Sequence, residues 1–304
     1  ELVRLRKLYD AAVEKAKGKA MSRYEKLMKK YQSRGDFENT IRCRNKIAKL
    51  RGEKLIKIPG GEPAVGNAPD PKIVAAPGVF IPKKMSVKEL HAALRKKNPK
   101  YNNTGDFRVN EKGEIFHVDL SSCNVKNVEA VAGLPLTYLN VGQNEIKRLD
   151  FIKGMPIKYL YISETLIRDI SFINGMPLEH FHMSDTPTTN LKPLKGRKLQ
   201  YLRLGCNQKL KDIKMLAGLE VETLAIAWCP VKNFQVLKKI KFVGENPLLD
   251  VSGTGFKDLR LIEGQKFHHL NISHTAVKDL KPMQNIDVET MMLTPSRIKR
   301  NLDV

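Results

Sequence analysis

Tyrosine, histidine, arginine and asparagine recur through the last two thirds of the chain, mostly at steps of 21 or 22 residues. One line reads His117, Tyr138, Tyr159, His180, Tyr201, Thr223, Leu248, His269 and Thr290. A second, two residues further on, reads Asp119, Asn140, Tyr161, His182, Arg203, Ala225, Asp250, Asn271 and Met292. Residues two apart on a strand share a face, and equivalent residues of parallel strands about 4.8 Å apart fall into file. Rings with polar tips, together with Arg, are what binding hot spots are made from. Tyr138, Asn140, Tyr159, Tyr161, His180, His182, Tyr201, Arg203, His269 and Asn271 are therefore expected to form an exposed partner-binding face, centred on Tyr138 to Arg203. The competing reading is that long aromatic side chains merely cover a small sheet.

Other chemistry is poorly supplied. His180 and His182 share a side, but Glu179 is expected to face away, which leaves a metal without a third ligand. His268 and His269 point to opposite faces. Neither GxxxxGK[ST] nor GxGxxG occurs, and GxSxG, HExxH and the protein-kinase signatures are also missing. No cofactor, metal or catalytic role is expected.

The elements that must position the two files are blocks in tandem, such as GLPLTYLNVGQNEIKRLDFIK (133–153) and GMPIKYLYISETLIRDISFIN (154–174). Each opens with apolar residues at the spacing of Leu136, Leu139 and Val141, which suits a short strand with one buried face. A second triplet three residues apart follows, as in Ile146, Leu149 and Ile152. It suits a tight helical turn, because 21 residues leave no room for a full α-helix. Between them runs a column of small or hydrogen-bonding residues: Cys123, Asn144, Thr165, Thr186, Asn207, Cys229, Thr254 and Thr275. A bend buried between stacked coils needs partners there for its backbone groups.

This pattern resembles the leucine-rich repeat, whose signature carries Asn or Cys at that column. It is similar to the short bacterial variety found in internalin-like surface proteins. The resemblance covers the last two thirds of the chain, although Thr188 replaces an apolar residue and the copy at 240–263 carries the insertion KKIKFVGENP, expected to interrupt the file at Leu248. It implies an α/β solenoid with a parallel β-sheet on its concave face. It also implies an extracytoplasmic protein, periplasmic or at the cell surface.

Upstream, Ser86-Val87-Lys88-Glu89 spells a capping box, and Leu90 and Leu94 follow before a stop at Asn98-Pro99. A short helix there would cover the apolar end of the first coil, as solenoids require. Residues 1–58 hold apolar stripes at helical spacing on either side of Ser33-Arg34-Gly35 and read as an α-helical hairpin. Residues 59–84 are a Pro/Gly-rich linker. The predicted domains are thus the hairpin (1–58), the linker (59–84) and the repeat domain (85–304), with a cap at 85–112 and repeats at 113–304.

Charge is lopsided. Residues 1–58 carry 18 Lys or Arg against 7 Asp or Glu, an excess of 11 that is half of the chain's net +22. No apolar run is long enough to span a bilayer. Glu1 is neither an initiator Met nor the start of a signal peptide, so the chain is read as beginning after processing or at an artificial boundary. Four cysteines do not make a disulfide framework. Cys206 and Cys229 fall close enough in adjacent blocks to bridge, with buried free thiols the preferred reading. Trp228 is expected to fill a wedge between coils. The reading that follows is non-catalytic recognition of a protein partner through the concave face. Its rival is binding of an anionic polymer by the basic hairpin, with envelope polysaccharide favoured over nucleic acid.

Overall fold

In a computed structural model of the protein, residues 82–301 are described, together with Ser22, Glu25, Lys26 and Lys29, which are helical. The chain divides into two units at Val74/Ala75. The remainder of the predicted hairpin, and the linker up to residue 81, lie outside the described residues.

The second unit is built on one sheet of 11 strands, nearly all parallel. The helix α1 (Val87–Lys97) begins at the predicted capping box: the Ser86 hydroxyl oxygen accepts from the Glu89 amide, and the Glu89 carboxylate accepts from the Ser86 N–H at 2.7 Å. It buries Leu90 and Leu94 against the first coil. The stop residue does more than end the helix. Buried Asn98 donates from Nδ2 to the carbonyls of Leu94 and Asn127, and its Oδ1 accepts from the amides of Lys126 and Asn127, so one side chain ties the cap to the first coil.

A strand that the sequence reading passed over comes next. β1 (Asp106–Val109) runs antiparallel to β2 (Ile115–Asp119) and covers the sheet edge. Its signal was present in the turn Asn110 to Gly113, where Asn110 Oδ1 accepts from the amides of Lys112 and Glu114 and Gly113 takes a φ of +74°. Then follow β3 (Tyr138–Asn140), β4 (Tyr159–Tyr161), β5 (His180–His182), β6 (Lys198–Arg203), β7 (Glu220–Ala225), β8 (Lys241–Phe242), β9 (Leu248–Asp250), β10 (Lys266–Asn271) and β11 (Asp287–Met292). Three-residue to five-residue 3-10 helices close the coils, as at Asp150–Ile152 and Ser171–Ile173. The coil is too short for an α-helix, and the third-residue apolar spacing matches a 3-10 turn.

Leu136, Leu139, Val141, Ile146, Leu149 and Ile152 are all fully buried, and their equivalents join them in one continuous core. Each such side chain contributes about 1.5–3 kcal/mol by leaving water. Thr188 sits in this core with its hydroxyl donating to the Ile167 carbonyl at 2.9 Å, so the polar exception is satisfied. The predicted column is buried and bonded as expected: Asn144 Nδ2 reaches the carbonyls of Leu120, Val141 and Gly142, while Thr165 and Thr275 each reach the carbonyl three residues back.

One column was invisible in the sequence. The residue immediately before each bend takes a left-handed φ, between +52° and +65°, whatever its type: Ser122, Gln143, Glu164, Asp185, Cys206, Trp228, Gly253 and His274. That conformation costs a non-glycine residue stability. It also aims the amide at the next coil: Gln143, Glu164, Asp185, Cys206 and Trp228 donate in turn to Ser163, Ser184, Gly205, Ala227 and Ser252. The inter-coil hydrogen bonds offset the strain. Trp228 lies across Gly253, where an added Cβ would come within 2.4 Å of the indole; this is the wedge expected of it. Gly253→Ala should cost about 2 kcal/mol in urea unfolding. The penalty should shrink to about 1 kcal/mol in a Trp228→Ala background, where only the backbone term is left.

The insertion is resolved as a split strand. Lys241 pairs with Glu220 and Leu248 with Thr223, so the offset grows from 21 to 25 residues within one strand of β7. The extra residues leave the sheet between β8 and β9, and Leu248 keeps its place between Thr223 and His269. The expected interruption is one of chemistry, not of register.

Candidate binding face on the open side of the sheet

The strand register aligns both predicted files. His117, Tyr138, Tyr159, His180, Tyr201 and Thr223 pair in succession, and so do Asp119, Asn140, Tyr161, His182, Arg203 and Ala225. Each strand holds these side chains opposite a buried residue such as Leu139, Leu160 or Phe181.

Exposure is not as expected. Tyr161, His182, Tyr201, Arg203 and Asn271 are buried, with His182 only 3% exposed, whereas Tyr138, Asn140, Tyr159, His180 and His269 are half-buried. The cause is mutual packing of large side chains on strands this close. His117 and Tyr138 stack with centroids 4.0 Å apart and planes at 11°, and Tyr159 to His180 and His180 to Tyr201 follow at 4.8 and 5.7 Å. Tyr161 meets Tyr138 at 5.3 Å and His182 edge-on at 6.1 Å. Ring faces are thus occupied by neighbouring rings, which leaves tips and edges for a partner. The accessible centre moves toward Tyr138, Asn140, Tyr159 and His180.

Polar contacts fix the tips. Tyr159 donates its hydroxyl to Glu179 Oε2 at 3.2 Å, and Lys158 holds the other oxygen at 2.8 Å. Burial and then the Glu179 charge push the Tyr159 phenol above its ordinary value. Glu179 was expected to face away, yet its carboxylate reaches the rim of the face; the opposite charge of Lys158 one coil earlier was the available signal. His180 Nε2 lies 3.1 Å from Gln200 Oε1, and His182 Nε2 lies 3.0 Å from Ser184 Oγ. Asn140 and Asn271 have an internal task as well: their Oδ1 atoms accept from the amides of Gly142 and Ser273 and close the strand ends. His269 Nδ1 sits 2.8 Å from Thr290 Oγ1, and burial lowers its pKa. Among the described residues, no group of three or more His, Cys, Asp or Glu is arranged to hold a metal ion.

Cys206, Cys229 and Cys123 are buried thiols, and Cys206 and Cys229 are not bridged. Cys229 donates to the Leu204 carbonyl at 3.1 Å, and burial pushes its thiol up to about 12. Cys229 is therefore expected to react with a thiol reagent only when urea opens the coils. Rapid labelling of this thiol in the folded protein at neutral pH would contradict that.

No helix among the described residues is long and apolar enough to cross a membrane. No family model and no curated protein matches the chain. A solved structure described as the functional domain of InlJ from Listeria monocytogenes, which includes a cysteine ladder, is 14% identical at a TM-score of 0.35. That match covers 60% of this chain and 54% of the other, so the chain spans about half of that structure's length.

Proposed function

We propose that this chain is a leucine-rich-repeat solenoid that binds a protein partner, without catalysis, through the concave side of its sheet, and that it works outside the cytoplasm. The observation that supports it is the two-file array, in which half-buried Tyr138, Tyr159 and His180 are packed beside buried Tyr161, His182, Tyr201 and Arg203. Rings held by stacking and by bonds to Glu179 and Gln200 lose little side-chain entropy on binding, and preorganised anchors of this kind give affinity.

The test separates the sheet face from the 3-10-turn side of the coils. A full-length chain with Tyr138→Ala, Tyr159→Ala and His180→Ala should keep its fold but lose a partner captured by cross-linking to the unaltered chain. A chain altered only at exposed Lys153 and Asn174, at the 3-10 turns, should still capture it. Equal capture by all three chains would end the proposal. Fractionation of the source cells tests location, and recovery in the cytoplasm would remove that part of it.

A further inference from the structure

A third file runs along the coils away from the open sheet face, on the segment that joins each bend to its 3-10 turn. It begins with Lys126, Lys147 and Arg168, and is interrupted by Thr189. It resumes as Lys211, Lys232, Lys257, Lys278 and Lys299 on five consecutive coils. All are exposed. All but Lys299, which follows half-buried Ile298, come directly after a buried apolar residue that opens the segment, such as Ile146, Val231, Phe256 or Val277. Backbone bonds keep neighbouring coils in step here: Leu166 donates to Ile146, Gly255 to Val231, Ala276 to Phe256 and Lys299 to Lys278, all between 2.8 and 3.0 Å. A cation therefore recurs at the coil spacing, about 4.8 Å where the coils are bonded as parallel strands.

Apart from Glu145, the acids beside this file are engaged with other groups. Asp169 accepts from the amide and hydroxyl of Ser171, and Asp212 from the amide of Lys214, whose ammonium pairs with it at 2.9 Å. Asp258 is gripped by the amide and guanidinium of Arg260, and Asp279 accepts from the Lys281 amide and from Asn301. Each carboxylate thus helps to start a 3-10 turn. Of the cations in the file, only Lys126 forms an ion pair among the described residues, with Glu145 at 2.7 Å.

We propose that this flank is a binding site for a linear anionic polysaccharide laid along the coil axis, its carboxylates or sulfates meeting successive Lys residues. A single file of ammonium groups suits one extended strand with its charges in a row. Duplex DNA carries a charge about every 1.7 Å of axis on two curving strands and would meet few of them. Single-stranded nucleic acid is ordinarily gripped by aromatic platforms beside the cations. The column two places earlier, which runs from Asn124 and Glu145 through Leu166 and Pro230 to Arg297, holds no aromatic residue.

The test uses the full chain with heparin as probe and duplex DNA as the comparison, at moderate salt. A variant with Lys211→Gln, Lys232→Gln, Lys257→Gln and Lys278→Gln is set against a control with Lys192→Gln, Lys195→Gln, Lys238→Gln and Lys239→Gln. The control removes the same charge from exposed positions at the 3-10 turns, and matching thermal unfolding confirms that both variants fold. The file variant should weaken heparin binding about tenfold or more and flatten its salt dependence. The control should stay within about threefold, since it changes only the overall field. Equal weakening by both variants, no loss in the file variant, or no heparin binding by the unaltered chain would each overturn the proposal. So would tighter, file-dependent binding of the duplex. Because the open sheet face is unaltered in both variants, these outcomes are independent of partner capture there.

Discussion

Asn207→Ala is expected to lower the stability of the repeat unit by about 3 kcal/mol in urea unfolding. Asn207 is completely buried. Its Nδ2 donates to the Leu204 carbonyl at 2.8 Å and to the Met183 carbonyl in the preceding coil at 3.1 Å, while its Oδ1 accepts from the Thr186 amide at 2.6 Å. Alanine would remove these three bonds and the contact of the Thr186 hydroxyl with the same Oδ1 at 3.1 Å, leaving the buried Thr186 amide without its partner and the Leu204 and Met183 carbonyls with only the Cys229 thiol and the Thr186 hydroxyl. Each orphaned group costs about 1–3 kcal/mol, and the Thr186 hydroxyl, which also bonds the Met183 carbonyl, softens the total. Asn207→Thr should cost about half as much, because a hydroxyl can still serve the carbonyl three residues back, as at Thr254. Since the lost bonds cross from one coil to the next, amide exchange at Thr186 should quicken before the rest of the sheet opens. An alanine variant as stable as the unaltered protein, with Thr186 equally protected, would mean that the column contributes packing alone.

Phe181→Ala should cost more, about 3–5 kcal/mol, and should weaken partner capture as well. Phe181 is wholly buried between Leu160 and Leu202, its neighbours in register. It also stands between His180 and His182 on β5, whose side chains belong to the opposite face. A cavity beneath them would loosen the stacking of His180 on Tyr201 and of Tyr159 on His180. Binding should therefore fall although every residue of the face is still present. Phe181→Leu keeps most of the volume and should cost about 1.5 kcal/mol or less. If Phe181→Ala destabilised the fold yet captured the partner with unchanged affinity, the binding face would not depend on the stacked rings, and the proposal for the sheet would lose its main support.

Much of the architecture was legible because a repeat states each rule many times. Leu136, Leu139 and Val141 alone would suit several folds; the same spacing recurring with Ile146, Leu149 and Ile152 admits only a short strand and a tight turn in each block. The column from Cys123 to Thr275 was legible for the same reason, since a bend buried between coils needs small polar side chains whatever the rest of the block contains. The capping box at Ser86 was plain from four consecutive residues. In contrast, the second role of Asn98 was hidden, because its partners Lys126 and Asn127 lie almost 30 positions away.

Sequence by itself placed the candidate residues in their two files, because strand alternation and a fixed repeat length determine which side chains share a face. Only the tertiary structure decided how much of each residue a partner could touch. Tyr161, His182, Tyr201 and Arg203 occupy the predicted positions yet are buried, since strands this close press large neighbouring side chains onto one another. Glu179 was similarly out of reach of the sequence, because its carboxylate turns toward Tyr159 and Lys158. The left-handed column at Gln143, Asp185 and Trp228 carries no shared side-chain type for a reader to find. Its conformation is imposed by the hydrogen bond each amide makes to the next coil, and that bond exists only once the coils are stacked.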